Sequence, residues 1–168
     1  MNPYPRQDLE AELSRAKATL PATIPGLVRR GSPCLYHGQR VHSCLLLSPK
    51  FQESDCIISF LRRDGSAETS YAPPENLSLD LTDPTGFHHA LLWLAEKLGM
   101  DASAGVLWYW DAEWGTWCLQ AKQRGRRYVV VDWRAAPCGA MEIPPASQEV
   151  SPAESLRLAV LAVAGVEG

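Results

Sequence analysis

Apolar residues fall along this chain in two rhythms. Between residues 26 and 80 they come in short runs, at 34–37, 41–48, 56–62, 68–71 and 77–79, with turn formers between them. Runs of that length bounded by Gly, Pro, Asn and Asp read as strands. The turns are predicted at His37-Gly38-Gln39, 48–55, Asp64-Gly65-Ser66 and Pro73-Pro74-Glu75. Asp64-Gly65 offers the positive φ angles that a tight hairpin needs. Five short strands in succession predict an antiparallel meander curled into a small barrel.

From residue 84 the spacing becomes helical. Phe87, Leu91, Leu94 and Leu98 lie on one face of a helix predicted over 84–98. Thr82 or Asp83 is its N-cap, Pro84 takes the first helical position, and Gly99 suits a left-handed C-cap. A second helix, Pro152–Ala164, is announced by Ser151-Pro152-Ala153-Glu154, a capping box with proline at N1. Leu156, Leu158, Val160, Leu161 and Val163 make it apolar almost all round. It is therefore predicted to be buried between other elements or between subunits. A thinner stripe, Leu9, Leu13 and Leu20, predicts an N-terminal helix over 7–20, stopped by Pro21 and followed by a linker over 21–25.

Between the two strong helices lies GVLWYWDAEWGTWCLQAKQRGRRYVVVDWR, which holds five of the six tryptophans. It reads as three strands, 106–110, 116–121 and 127–133, joined by two short turns. Val106, Trp108 and Trp110 point one way, Leu107 and Tyr109 the other. A sheet with one face in water alternates apolar and polar residues, so this sheet is expected to be covered on both faces. A long Pro- and Ala-containing loop over 135–148 follows.

Two likenesses attach to these patterns. GSPCLYHGQRV, CIISF, the DG turn and PENLSL together resemble an SH3-like barrel of the KOW or Tudor type. FHHALLWLAEKLGM, EWGTWCLQA and EVSPAESLRLAVLAV, spread over 82–165, resemble the phage ABA sandwich domain. The second resemblance implies a sheet between helices and an origin on a phage or other mobile element. It implies no catalytic residue. The expected fold is α+β: an N-terminal helix and linker over 1–25, an SH3-like β-barrel over 26–80, and an α/β sandwich with an antiparallel sheet covered by helices over 81–168.

Charge and cysteine content narrow the class. The formal net charge is −3, and residues 1–80 balance at nine basic and nine acidic, so neither half is basic enough to announce nucleic acid. Five cysteines without a C-x-x-C motif fit reduced thiols better than a disulfide framework. The opening MNPYPRQDLEAEL lacks the basic and apolar regions of a signal peptide, and no run is long enough for a membrane helix. A cytoplasmic location in a host cell, with no membrane association, is expected.

Candidate chemistry is sparse. Cys34, His37, His42 and Cys44 surround one hairpin, but C-x₂-H-x₄-H-x-C matches no justified zinc spacing. A buried cysteine with surface histidines is the plainer account. His88 and His89 are adjacent on a helix and so point about 100° apart, whereas a metal or acid–base pair wants i, i+3 or i+4. Asp111 and Glu113 flank a turn between tryptophans, a feature of sugar-cleaving sites and equally of ordinary turns. There is no G-x-S-x-G, P-loop, G-x-G-x-x-G or H-E-x-x-H motif. Lys122, Arg124, Arg126 and Arg127 form a basic turn that either meets an acidic or phosphate-bearing partner or shields a sheet edge.

These observations lead to an expected non-enzymatic protein without a cofactor, which binds a host or phage protein and modulates it. Trp93, Trp114, Lys122, Arg124, Arg126 and Arg127 are its candidate binding residues. Aromatic residues are enriched at interface hot spots, although they also fill thin cores. Two alternatives stand beside it. One is a nucleic-acid-binding accessory protein using the barrel and the basic turn. The other is a small hydrolase assembled from scattered residues. Self-association through the C-terminal helix is a further expectation.

Overall fold

The computed structural model describes residues 17–41, 43–46, 56–61, 64–103, 105–112, 116–121, 129–131 and 150–165. The fold is mixed α+β, with two helices and three small antiparallel sheets among the described residues. The chain divides into two compact units, Met1–His89 and Ala90–Gly168.

The first unit holds seven strands: β1 (Thr19–Pro21), β2 (Cys34–Tyr36), β3 (Gln39–Val41), β4 (Ser43–Leu46), β5 (Cys56–Leu61), β6 (Ala67–Ala72) and β7 (Leu77–Asp80). They form one sheet in the order β1-β7-β2-β3 and another in the order β4-β5-β6. In the four-stranded sheet Leu20 pairs with Leu79, Leu79 with Cys34, and Cys34 with Val41, an apolar row across all four strands. Each member is at most 4% exposed. Burying a Leu or Val side chain stabilises by about 1.5–3 kcal/mol, so this row anchors the sheet. The β2–β3 hairpin turns on two residues, His37 (φ 47°) and Gly38 (φ 76°). Two successive positive φ values fit the type I′ turn, whose twist suits antiparallel strands. In the three-stranded sheet Cys56 and Ile58 are fully buried, while the opposite face presents Tyr71, 64% exposed.

Three expectations for this half are corrected. No helix runs to Leu20, because Thr19–Pro21 is strand β1, paired with β7; the expected helix positions 7–16 lie outside the described residues. Leu20 gains more from pairing beside Leu79 than from a weak local stripe, and Pro21 is tolerated because β1 is an edge strand. The 21–25 stretch is packed and not a linker: Ile24 is 3% exposed, and the Ala22 N–H donates to the Leu77 carbonyl at 3.0 Å. The strands also do not close into a barrel. Neither sheet is closed among the described residues, and β3 and β4, separated only by His42, belong to different sheets. Closure needs tilted strands long enough to stagger around a common axis, and β1, β2 and β3 are three residues each.

Helix α1 (Pro84–Lys97) spans the division between the units. Asp83 caps it, with Oδ1 accepting the Thr85 N–H at 2.8 Å. At the other end Gly99 has φ 71°, the Met100 N–H donates to Ala95 O and the Gly99 N–H to Glu96 O. That pair of bonds is the Schellman arrangement expected of a C-cap glycine. Leu91 and Leu94 are buried as the helical stripe predicts, and Ala90, Trp93 and Ala95 are buried too.

The second unit contains β8 (Val106–Asp111), β9 (Thr116–Ala121), β10 (Val129–Val131) and helix α2 (Pro152–Ala164), with the strands in the order β10-β9-β8. Trp108, Trp110 and Trp117 share one side of this sheet. Trp108 and Trp117 stack at 6.2 Å between ring centroids, and Trp110 meets Trp117 edge-on at 5.9 Å. Helix α2 covers that side: the Trp108 Nε1–H donates to Ser155 Oγ at 2.8 Å, and Leu156, Ala159 and Val160 are fully buried. On the other side Cys118 is buried but Leu107 is 55% exposed. The double cover expected of this sheet is therefore incomplete at the edge strand β8, where Leu107 has a neighbouring strand on one flank alone among the described residues. Helix α2 buries one face and Leu161, leaving Leu158, Ala162 and Val163 partly exposed. No described helix is long and apolar enough to cross a membrane.

Candidate functional site

Within Met1–His89 the start of α1 abuts the end of β7, and the contact is set by a glycine. A Cβ on Gly86 would collide with the Asp80 carbonyl oxygen and approach Pro33 Cγ to 3.2 Å. Because the helix comes this close, Asp80, at the C-terminal end of β7, is 2% exposed although its side chain is polar. Its Oδ1 accepts from the Thr82 N–H at 2.9 Å and the Thr82 hydroxyl at 2.5 Å. Its Oδ2 lies 3.8 Å from Arg40 Nη2, beyond hydrogen-bond distance. Beside these groups opens a cleft of about 160 Å³ lined by Pro33, Cys34, Arg40, Val41, Asp80 and Asp83.

A second polar arrangement lies nearby in sequence. Ser32 is fully buried, and its Oγ accepts the Arg29 N–H at 2.8 Å and pairs with His89 Nδ1 at 2.7 Å. The His89 pKa is held below the usual 6.5, first by burial, then by the Arg29 and His88 charges, with Asp83 opposing. A serine beside a histidine invites comparison with a nucleophile and its base. Here the serine is closed off from any substrate, and among the described residues no carboxylate hydrogen-bonds the imidazole. The pair ties the 29–32 turn to α1. The sequence gives the adjacent histidines no spacing for a metal or acid–base pair, and it does not point to Ser32 or the Asp80–Arg40 pair. Serine, aspartate and arginine are common in turns and strand ends; only the Asp80-x-Thr82 spacing carried a local signal, that of a side chain bonding its own backbone two residues on.

The residues singled out from the sequence fare differently. Cys34 is 1% exposed, and its thiol donates to Ser32 O at 3.6 Å, while His37 sits at the hairpin tip with its ring 4.4 Å from Tyr36. Those two are not brought together. His42 and the side chain of Cys44 lie outside the described residues, as do Trp114, Lys122, Arg124, Arg126, Arg127 and Glu113. Among the described residues no group of three metal-ligating side chains is arranged to hold an ion. Trp93, expected as a contact residue, is 3% exposed, with Lys97 Nζ 5.7 Å from its ring centroid. Its indole is packed, although it lies about 100° around the helix from Leu94.

No protein-family model matches the chain, and neither a curated protein nor a solved structure shows significant similarity to it. The molecule's own surface carries what indication of function there is. In the second unit that surface includes Leu107 and, two residues along the same side of β8, the largely buried Tyr109. The Tyr109 phenol is pushed above its usual pKa, first by burial and then by Cys118 and Asp111. It is neutral at physiological pH and suited to a contact combining apolar area with one hydroxyl.

Proposed function

We propose that this chain is a non-enzymatic binding protein of a phage or other mobile element, which occupies a surface on a host protein and so modulates it. The observation that carries this reading is Leu107: an aliphatic side chain 55% exposed on a sheet whose other side is closely packed. Held on a strand beside Tyr109, it gives up little freedom when buried by a partner, which is the property of an interface anchor. The likeness of residues 82–165 to the phage ABA sandwich domain supports the mobile-element origin and the sandwich architecture.

The test is an affinity capture from host lysate with the tagged full chain and its Leu107→Glu variant, both checked for unchanged melting temperature. The reading expects at least one protein retained by the wild type and released by the variant. Identical retention by both, or nothing above background, overturns it.

A further inference from the structure

The direction of the Ser32–His89 hydrogen bond follows from counting hydrogens. Ser32 is fully buried, so its hydroxyl has to find partners inside the protein. Its Oγ accepts the Arg29 N–H at 2.8 Å, which leaves the hydroxyl proton to be placed. His89 Nδ1 lies at 2.7 Å, and among the described residues Oγ has no other neighbour at hydrogen-bond distance. The hydroxyl therefore donates to Nδ1, and the neutral imidazole carries its own proton on Nε2.

This arrangement suits neutral His89 alone. A second proton on the ring turns Nδ1 into a donor. Oγ then receives two N–H groups, and its own hydrogen is left buried without an acceptor, which costs about as much as a lost hydrogen bond. The new charge also meets those around it. Arg29 on the turn and His88 beside it on α1 oppose it, and Asp83 at the helix cap favours it, with burial and Arg29 the heavier causes.

The other hydrogen bonds of Ser32 among the described residues stay within 29–34. Its N–H donates to Arg29 O at 3.0 Å, and its carbonyl accepts the Cys34 thiol at 3.6 Å. Only the bond to Nδ1 reaches the helix, 57 residues away. The chain on either side is held independently: Leu27 and Val28 are buried, and the Pro33 carbonyl accepts the Asp80 N–H at 3.0 Å. Losing the Nδ1 bond thus loosens residues 29–32 between two fixed points.

We propose that Ser32 and His89 form a proton-operated latch, which holds the 29–32 turn on α1 while His89 is neutral and lets the turn open when His89 is protonated, with the neighbouring sheet still paired. The latch lies within Met1–His89 and is independent of the Leu107 reading.

The test is NMR on the full chain labelled with ¹⁵N, between about pH 7.5 and 5. At the upper end His89 Nδ1 should resonate as an unprotonated nitrogen and Nε2 as a protonated one. Hydrogen exchange at the Arg29 and Ser32 amides reads the opening. Corrected for the intrinsic rate, it should rise by up to about tenfold per pH unit below about 6.5, and level off below the folded-state pKa of His89, because opening takes up one proton. The Leu20 and Leu79 amides of the sheet should show no such rise. Ser32→Ala should move the His89 midpoint up towards that of His88 and abolish the pH dependence of exchange at Arg29. The two wild-type readouts decide the matter should that variant fail to fold. A protonated Nδ1 at the upper pH, turn exchange that ignores the His89 midpoint, sheet amides that rise in step with the turn, or a His89 midpoint unmoved by Ser32→Ala overturns the proposal.

Discussion

Gly86 is the position where one atom decides most. In an exposed helix, glycine to alanine stabilises by up to about 1 kcal/mol. Here the added methyl would meet the Asp80 carbonyl oxygen, which is backbone and fixed on both sides by β7 and Thr82. Overpacking of that kind costs about 1–3 kcal/mol and outweighs the helical gain, so Gly86→Ala is expected to lower stability, read by chemical denaturation. His89 sets a pH dependence at the same scale. Its pKa is lowered in the folded chain, chiefly by burial, so between the folded value and about 6.5 the unfolded chain binds the extra proton. Stability is then full above the unfolded value and falls as pH drops through it. Urea midpoints measured between about pH 7.5 and 5 are expected to decline, and His89→Gln, which can still reach Ser32, should flatten that decline.

At the scale of elements, the helices hold their own boundaries. Ser151 Oγ accepts the Glu154 N–H at 3.2 Å, Pro152 occupies N1, and Gly165 closes α2 with φ 71°. Ser151→Ala is expected to cost about 1 kcal/mol, seen as a lower thermal midpoint by circular dichroism with helix content retained. These signals are local, which is why Pro152–Ala164 was legible to the residue and α1 to its last turn. The strands were legible as apolar runs: 116–121 falls on β9, and 56–62 contains β5. Their partners were not. Whether Leu20 ends a helix or lies beside Leu79 depends on residues some sixty positions away, and a thin local stripe carries no information about them. The assignment of 39–41 and 43–46 to different sheets is hidden for the same reason, since the run at 41–48 reads as a single strand. The Asp80 cleft and the Ser32–His89 pair are long-range products of that arrangement, so no motif announced them.

For the whole molecule, the useful asymmetry is optical. All six tryptophans lie beyond residue 90, within Ala90–Gly168, whereas Gly86, Asp80 and the Ser32–His89 pair lie within Met1–His89. Tryptophan emission therefore reports on one unit, and Gly86→Ala perturbs the other. Helix α1 is shared: residues 84–89 belong to the first unit and 90–97 to the second, and its buried residues Ala90, Leu91, Trp93, Leu94 and Ala95 begin directly after the division. A helix this short is marginal without its flanking packing, so losing its first turn and a half should release the rest. The expected result is that Gly86→Ala lowers the midpoint seen by tryptophan fluorescence by the same amount as that seen by far-ultraviolet circular dichroism, roughly 2–4 °C for each kcal/mol lost in a chain of this size. Coincident transitions would mark a single cooperative unfolding step. A fluorescence midpoint left unmoved while the circular dichroism midpoint falls would show that the units melt separately, and that α1 frays at the division without carrying the destabilisation across it.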